Sequence, residues 1–290
     1  MTETPERMLP LYEAKMIHQF DHRWATYESG RARDTTRAEK TDPEHSGLPR
    51  YWVGADQVEN ALAERWDRDW LLGWRDIARA TDVRTTIAAI SGSGDSPEGG
   101  TLLMLPESSS ASAPFLVAAL NSIVFDFCAR QKVGGTHLKF FTMRQLPVPT
   151  PEALEAPATW DIESSHSEWI KPRVLELTYT AWDMQPFAED LGDTGAPFVW
   201  DPERRFVLRA ELDAAFFHLY GVTRDDVDYI LDTFPIVRRK DEEAHGEYRT
   251  KRVILEIFDA MQGAIDTGIA YETVIDPAPG FGAHHSPSSR

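Results

Sequence analysis

The residues best equipped for chemistry fall in two stretches. Near the N-terminus, Glu13-Ala-Lys15 has the acid–lysine spacing of a metal-dependent nuclease, where a carboxylate holds magnesium and the lysine polarises water. That chemistry needs a further Asp on a preceding strand, and no Asp lies upstream of Glu13. The pair therefore reads as a solvated strand edge or as a phosphate contact from Lys15. His18 and His22 stand four apart with Asp21 between them, a spacing that puts two imidazoles on one helix face. No Cys pair and no downstream His cluster completes a zinc site, so two partly buried, hydrogen-bonded histidines are expected. Cys128 sits in an apolar pattern without a partner His and reads as core packing. The serines of 108–112 lack a nucleophile-elbow pattern and read as loop.

The second stretch, residues 121–141, carries Arg130, Lys132, the pair Gly134-Gly135, Thr136, His137 and Lys139 before Phe140-Phe141. Paired glycines let a backbone approach a phosphate closely, Thr136 and His137 are short donors at the turn, and the cations flank it. The alternative is structural: cations near a helix C-terminus offset its dipole, and Gly-Gly is an ordinary helix stop. Trp66, Trp70 and Trp74 could stack on bases, though aromatics at this spacing usually pack a core. Arg75, Arg79 and Arg84 could reach phosphate or a base edge, or pair with Asp76 and Asp82.

The elements that must position these residues follow from pattern. Residues 11–24 are ambiguous in period: Tyr12, Ala14 and Met16 alternate like a strand, whereas Ile17, Phe20 and Trp24 follow helical spacing. Residues 31–49 read as an exposed loop. Strand-length runs at 70–74, 85–90 and 102–105 follow, the last two joined by a Gly/Ser-rich connection of the hairpin kind. Leu116, Leu120, Ile123, Val124 and Phe127 recur at helical spacing, and 140–148 reads as extended. Prolines at 147, 149, 151 and 157 mark a boundary. Beyond it Asp201-Pro202 starts one helix, Thr223 caps a second with the stripe Val227, Ile230, Leu231 and Phe234, and 253–265 forms a third, closed by Gly268. The expected fold class is α+β: a mixed small-sheet domain over 1–150, a mainly helical region over 151–276, and a disordered tail over 277–290.

Composition narrows the class. With 290 residues, 42% hydrophobic and 27% charged, the chain suits an ordinary globular protein. No run approaches the roughly 18 apolar residues of a membrane span. The absence of an apolar leader and a lone cysteine point to the cytoplasm and no membrane partner. The net charge of −17 opposes a free-standing nucleic-acid binder, but Arg130, Lys132, Lys139 and Arg144 lie where Asp126 is the nearest acid. An amino-methyltransferase needs a Gly-rich turn between strand and helix and an Asn/Asp-Pro-Pro-aromatic element. No such element occurs, and Gly92-Ser-Gly94-Asp95 is followed by a strand-like run instead of a helix.

Residues 10–24, 73–86, 121–147 and the block from Trp200-Asp-Pro-Glu-Arg-Arg through 256 together resemble one family, in the family's order. They are similar to the C-terminal region of large adenine-specific DNA methyltransferases of the type IIG restriction–modification kind, with a TaqI-like specificity domain. The resemblance covers about residues 9–276 and implies a target-recognition part, active in phage defence, that reads double-stranded DNA. It implies no catalytic residue and no cofactor in this chain. S-adenosylmethionine and magnesium belong to a catalytic part, carried by an upstream domain or a methylase subunit. By position and chemistry the expected DNA contacts are Lys15, Arg75, Arg84, Arg130, Lys132, Thr136, His137, Lys139 and Arg144. The other expectation is a protein-interaction module that docks to a separate methylase without touching DNA itself.

Overall fold

Short extended segments dominate the first hundred residues. The computed structural model describes residues 6–92, 96–97, 101–105 and 112–287. Strand β1 (Met8–Tyr12) leads into a single 3-10 turn at Ala14–Met16, which resolves the ambiguous period of 11–24 as neither a helix nor one long strand. A hairpin of β2 (Ala25–Glu28) and β3 (Arg31–Asp34) follows. Helix α1 (Arg37–Thr41) is set by a capping box in which Thr36 and Glu39 satisfy each other's backbone amides. The expected loop at 31–49 is thus partly ordered, and Lys40 is buried against Asp21. Then come β4 (Tyr51–Gly54), α2 (Ala55–Leu62), β5 (Trp70–Arg75), β6 (Ala88–Gly92), β7 (Ser96–Pro97) and β8 (Thr101–Met104).

Two three-stranded sheets result, in the orders β4-β1-β7 and β6-β5-β8; β7 runs parallel to β1 and the other pairings are antiparallel. Strand β5 is central and reads Trp-Leu-Leu-Gly-Trp-Arg because both of its faces are covered, Trp70, Leu71, Leu72 and Trp74 all being buried. Gly73 is required there: a Cβ would lie 3.0 Å from Thr101 Cγ2 and 3.2 Å from the Leu102 carbonyl. β6 and β8 flank β5 instead of pairing with each other, which corrects the hairpin reading of their connection. Residues 93–95 and 98–100 of the Gly/Ser-rich connection and the serines 108–110 lie outside the described residues.

The expected helix around 116–127 is two helices, α3 (Ala113–Asn121) and α4 (Ile123–Lys132), bent by 62° at Ser122. Ser122 ends one and caps the other, its hydroxyl donating to the Ala119 carbonyl and accepting from Phe125 N–H. Asn121 exchanges two 2.9 Å hydrogen bonds with the backbone of Ala88, acting as a substitute strand partner for β6. Residues 140–148, expected to be extended, contain the short helix α5 (Phe140–Met143). The buried side chains Thr142, Met143 and Leu146 follow helical spacing, which overrides the alternation read from the sequence.

After α6 (Pro151–Glu155) and the small hairpin β9 (Pro157–Ala158) and β10 (Asp161–Ser165), the chain is helical: α7 (His166–Thr178), α8 (Gln185–Asp190), α9 (Pro202–Leu219), α10 (Arg224–Asp232), α11 (Pro235–His245) and α12 (Arg249–Thr267). The caps read from sequence are present: Asp201 accepts from Glu203 and Arg204 N–H, Thr223 accepts from Asp226 N–H, and Gly268 closes α12 at φ +70°. One apolar cluster runs from Phe20 to Ile275, so the prolines at 147–157 separate no two cores. Its α3–α4 part is apolar because it is buried. Among the described residues no single helix is long and apolar enough to cross a membrane.

Residues 277–287, expected as a disordered tail, are packed. Glu176 and Arg204 form a buried pair, Arg204 donates to the carbonyls of Pro277 (2.7 Å) and Ala278 (3.2 Å), and Glu176 accepts from Gly280 N–H (3.0 Å). Farther along, Val199 N–H donates to the Ala283 carbonyl, and the His284 ring lies 4.0 Å from the Phe198 ring at a tilt of 37°. The polar composition of the tail hides these backbone bonds; those to Arg204 and Glu176 span 73 to 104 residues of sequence.

Candidate nucleic-acid interface

Two of the groups singled out at the N-terminus are engaged in the fold. Glu13 accepts from the Tyr27 hydroxyl and lies 3.4 Å from Arg50, while exposed Lys15 sits over the Tyr27 ring. His22 lies 2.9 Å from Asp183, Asp21 is held by Lys40, and His18 packs on Trp24 at 4.2 Å. Burial, reinforced by Arg75, lowers the His18 pKa to about 3, so its ring is neutral. Among the described residues no group of three His, Cys, Asp or Glu side chains is arranged to hold a metal ion. Cys128 is half-buried, and burial pushes its thiol pKa up, away from a nucleophile's.

Three of the expected DNA contacts point inward. Arg84 and Arg130 converge on Asp126, at 2.8 and 3.3 Å, and Asp126 also accepts from Thr85 N–H. Arg84 further donates to the Asn121 carbonyl, and Arg130 donates to the carbonyls of Asp82 and Val83 and lies 4.0 Å over Phe234. Arg75 donates to the Ile17 carbonyl. These guanidinium groups tie loop backbone together, and Trp70 and Trp74 are core. Each arginine stands between an apolar and a polar neighbour (Trp74 and Asp76, Val83 and Thr85, Ala129 and Gln131), so linear pattern alone could not separate them from surface cations.

The remaining candidates gather on one loop. After α4 the chain runs back along the segment that follows β5: Ala78 N–H donates to Thr136, Leu138 N–H donates to Asp76 (2.7 Å), and Trp74 Nε1 donates to the Leu138 carbonyl (2.8 Å). Leu138 is buried, so extended-chain alternation turns its neighbours His137 and Lys139 outward. Both meet one carboxylate oxygen of Asp76, at 3.0 and 2.6 Å. Lys132, Thr136 and Arg144 are exposed, and neither Lys132 nor Arg144 makes an ion pair among the described residues. The two glycines are exposed and have open space at the Cβ position, which leaves the backbone approachable.

Three apolar side chains that the sequence reading left out complete this face. Phe141 is 70% exposed, Ile77 55% and Phe140 46%, with Phe140 edge-on to Trp74. Phe140 and Arg144 also border a cleft of about 890 Å³. Val53 of β4 and Val58 of α2, together with Leu71, Leu102, Leu103 and Arg65, also line it. The visible signal was the Phe140-Phe141 pair, since two consecutive aromatics on a one-turn helix cannot both face the core.

A comparison with protein-family models, with curated proteins and with solved structures finds no match to this chain.

Proposed function

We propose that this chain is the DNA-binding, target-recognition part of a restriction–modification adenine-N6 methyltransferase, working in the cytoplasm beside a separate catalytic domain or subunit. The observation that carries the DNA-contact part is the loop 132–144, which presents Lys132, Thr136, His137, Lys139 and Arg144 together beside exposed Phe140 and Phe141. The restriction–modification part rests on the resemblance of the ordered sequence segments. Cations and short donors serve phosphates, and exposed aromatic rings add contact area at sugars or bases. Lys139 and His137 would exchange Asp76 for a phosphate oxygen, while Lys132 and Arg144, which make no ion pair among the described residues, can bind without breaking one. The net charge of −17 is carried largely elsewhere, so the reading calls for a local footprint and a partner that adds further positive charge.

Fluorescence anisotropy with random duplexes and duplexes bearing adenine-methylation sites tests this, with and without a methylase subunit. Binding that weakens as salt rises is expected. No binding at low salt under either condition overturns the reading.

A second reading, docking to a methylase without DNA contact, is favoured by another surface. Ile269, Val274 and Phe281 are 72, 68 and 75% exposed along the segment after α12. Under that reading, Val274→Asp abolishes co-purification with the catalytic subunit and Arg144→Gln leaves duplex affinity of the assembly unchanged. Under the first, Arg144→Gln weakens it.

A further inference from the structure

Beneath residues 18–24, two arginines of α9 stand without a paired carboxylate among the described residues. Arg205, from the buried side of α9, donates Nη1 to the Leu177 carbonyl (2.6 Å) and Nη2 to the Phe20 carbonyl (3.4 Å). Half-buried Arg209, one turn on, donates its Nε to the Arg205 carbonyl at 3.3 Å, the one side-chain hydrogen bond it makes among the described residues. Neither has a carboxylate within 4.0 Å among the described residues, and Arg75 nearby also bonds a carbonyl alone. The acids close by are committed: Asp21 to Lys40 and to Arg23 N–H, and Asp126 to two arginines at once. Asp213 accepts Ile123 N–H at 2.7 Å. Buried charges are normally compensated, and a chain of net charge −17 has no shortage of acids to do it.

A hollow lies where the compensation is missing. Arg205 and Arg209 line a space of about 140 Å³ with His18, Gln19, Trp24, Trp200 and Asp21, whose carboxylate is paired with Lys40. At about 30 Å³ per water that is room for four or five waters, small for a nucleoside and ample for a tetrahedral oxyanion. Trp200 backs the Arg205 guanidinium at 3.6 Å and fixes its plane. Arg209 also borders the adjoining space of about 220 Å³, where Asp213 and Asp241 stand.

The geometry points to this hollow as a binding site for a phosphate group, gripped by the free terminal nitrogens of Arg209 with the Arg205 charge behind it. Two guanidinium groups without counter-ions match a dianion, whereas a carboxylate would leave one charge over. Asp213 and Asp241 in the adjoining space repel a polyanion threaded through both, so a compact phosphate fits better than a run of backbone. The site is independent of the loop at 132–144, and it stands or falls separately from the DNA reading.

The test is a titration of the whole chain with inorganic phosphate against chloride at matched ionic strength, followed by calorimetry and Trp fluorescence. A saturable response is expected, with Arg209→Gln weakening it at least tenfold, Arg209→Lys retaining part of it, and the surface variant Arg238→Gln leaving it unchanged. If Arg209→Gln does not fold, the Lys variant carries the comparison, and loss of the fork-shaped donor set should still weaken binding several-fold. Displacement of bound phosphate by a nucleoside monophosphate alone assigns a free phosphoester; displacement by a short duplex as well assigns a backbone phosphate. No saturable response in the natural chain, or the same response in both Arg209 variants, overturns the site.

Discussion

Replacing Asp126 by Ala should cost this protein about 4 kcal/mol of stability. Asp126 is fully buried and holds Arg84 Nε at 2.8 Å, Arg130 Nε at 3.3 Å and Thr85 N–H at 3.1 Å. Breaking a buried ion pair from one side costs about 3–5 kcal/mol, because the other charge stays behind without compensation. An orphaned buried amide adds about 1–3 kcal/mol. The two are not additive, since Arg84 and Arg130 keep their bonds to the carbonyls of Asn121, Asp82 and Val83 and part of the strain relaxes. In urea, with a slope of about 3 kcal/mol per molar, the loss appears as a midpoint lowered by about 1.3 M. Arg84→Met in the Asp126→Ala background should recover part of it, because one stranded cation is removed. A midpoint change below about 0.3 M, or no recovery in the double variant, refutes the assignment of these two arginines to the interior and returns them to the candidate surface.

Two buried groups give stability a pH dependence of opposite sign. His18, with its pKa lowered to about 3 by burial, takes a proton more readily when unfolded, so stability falls as pH drops from 6.5 toward 3, by up to about 4–5 kcal/mol at about 1.4 kcal/mol per unit. Asp213, raised to about 6 by burial, binds a proton more readily when folded, so stability falls as pH rises from 4 to 6, by about 3 kcal/mol. Asp213→Asn should therefore stabilise the chain at pH 7 and have little effect at pH 4, whereas His18→Gln should flatten the acid limb; urea midpoints across pH 3–8 read both, and a variant that shifts all pH values equally contradicts the assignment. Glu176→Gln should loosen residues 277–287 and raise their rate of limited proteolysis several-fold while α12 stays protected; an unchanged cleavage pattern would mean that the tail is held by His284 and Val199 alone. Gly73→Ala should lower stability by about 1–3 kcal/mol through the 3.0 Å approach to Thr101, read by thermal unfolding, and a neutral result would show that β8 shifts without cost.

Elements with their own periodicity and caps were legible in the sequence. The runs of β5, β6 and β8, and the helix starts at Asp201 and Thr223, need only local composition to declare themselves. What the sequence concealed was set by distant partners. Residues 277–287 are ordered by Glu176 and Arg204, α5 is helical because Met143 and Leu146 bury together, and β6 borrows Asn121 as a strand neighbour. The same holds for the site. Lys132, Thr136, His137, Lys139 and Arg144 share an exposed face as their spacing suggested, while Arg75, Arg84 and Arg130 have equal sequence character and opposite placement. Arg205 and Arg209, four apart on the apolar-rich stretch with Leu208 and Leu212, carried a readable signal: cations on the core-facing stripe of a helix.

The salt dependence of duplex affinity reports most directly on the loop at 132–144. Each phosphate released from a cation changes the slope of log K against log salt by about 0.9, so the double variant Lys132→Ala, Arg144→Ala should reduce the slope by about 1.8 relative to the natural chain. Arg130→Met, whose guanidinium is internal, should leave the slope where it was in whatever fraction remains folded. A double variant with an unaltered slope, or an Arg130 variant that takes the slope down with it, contradicts the placement of the DNA-facing surface.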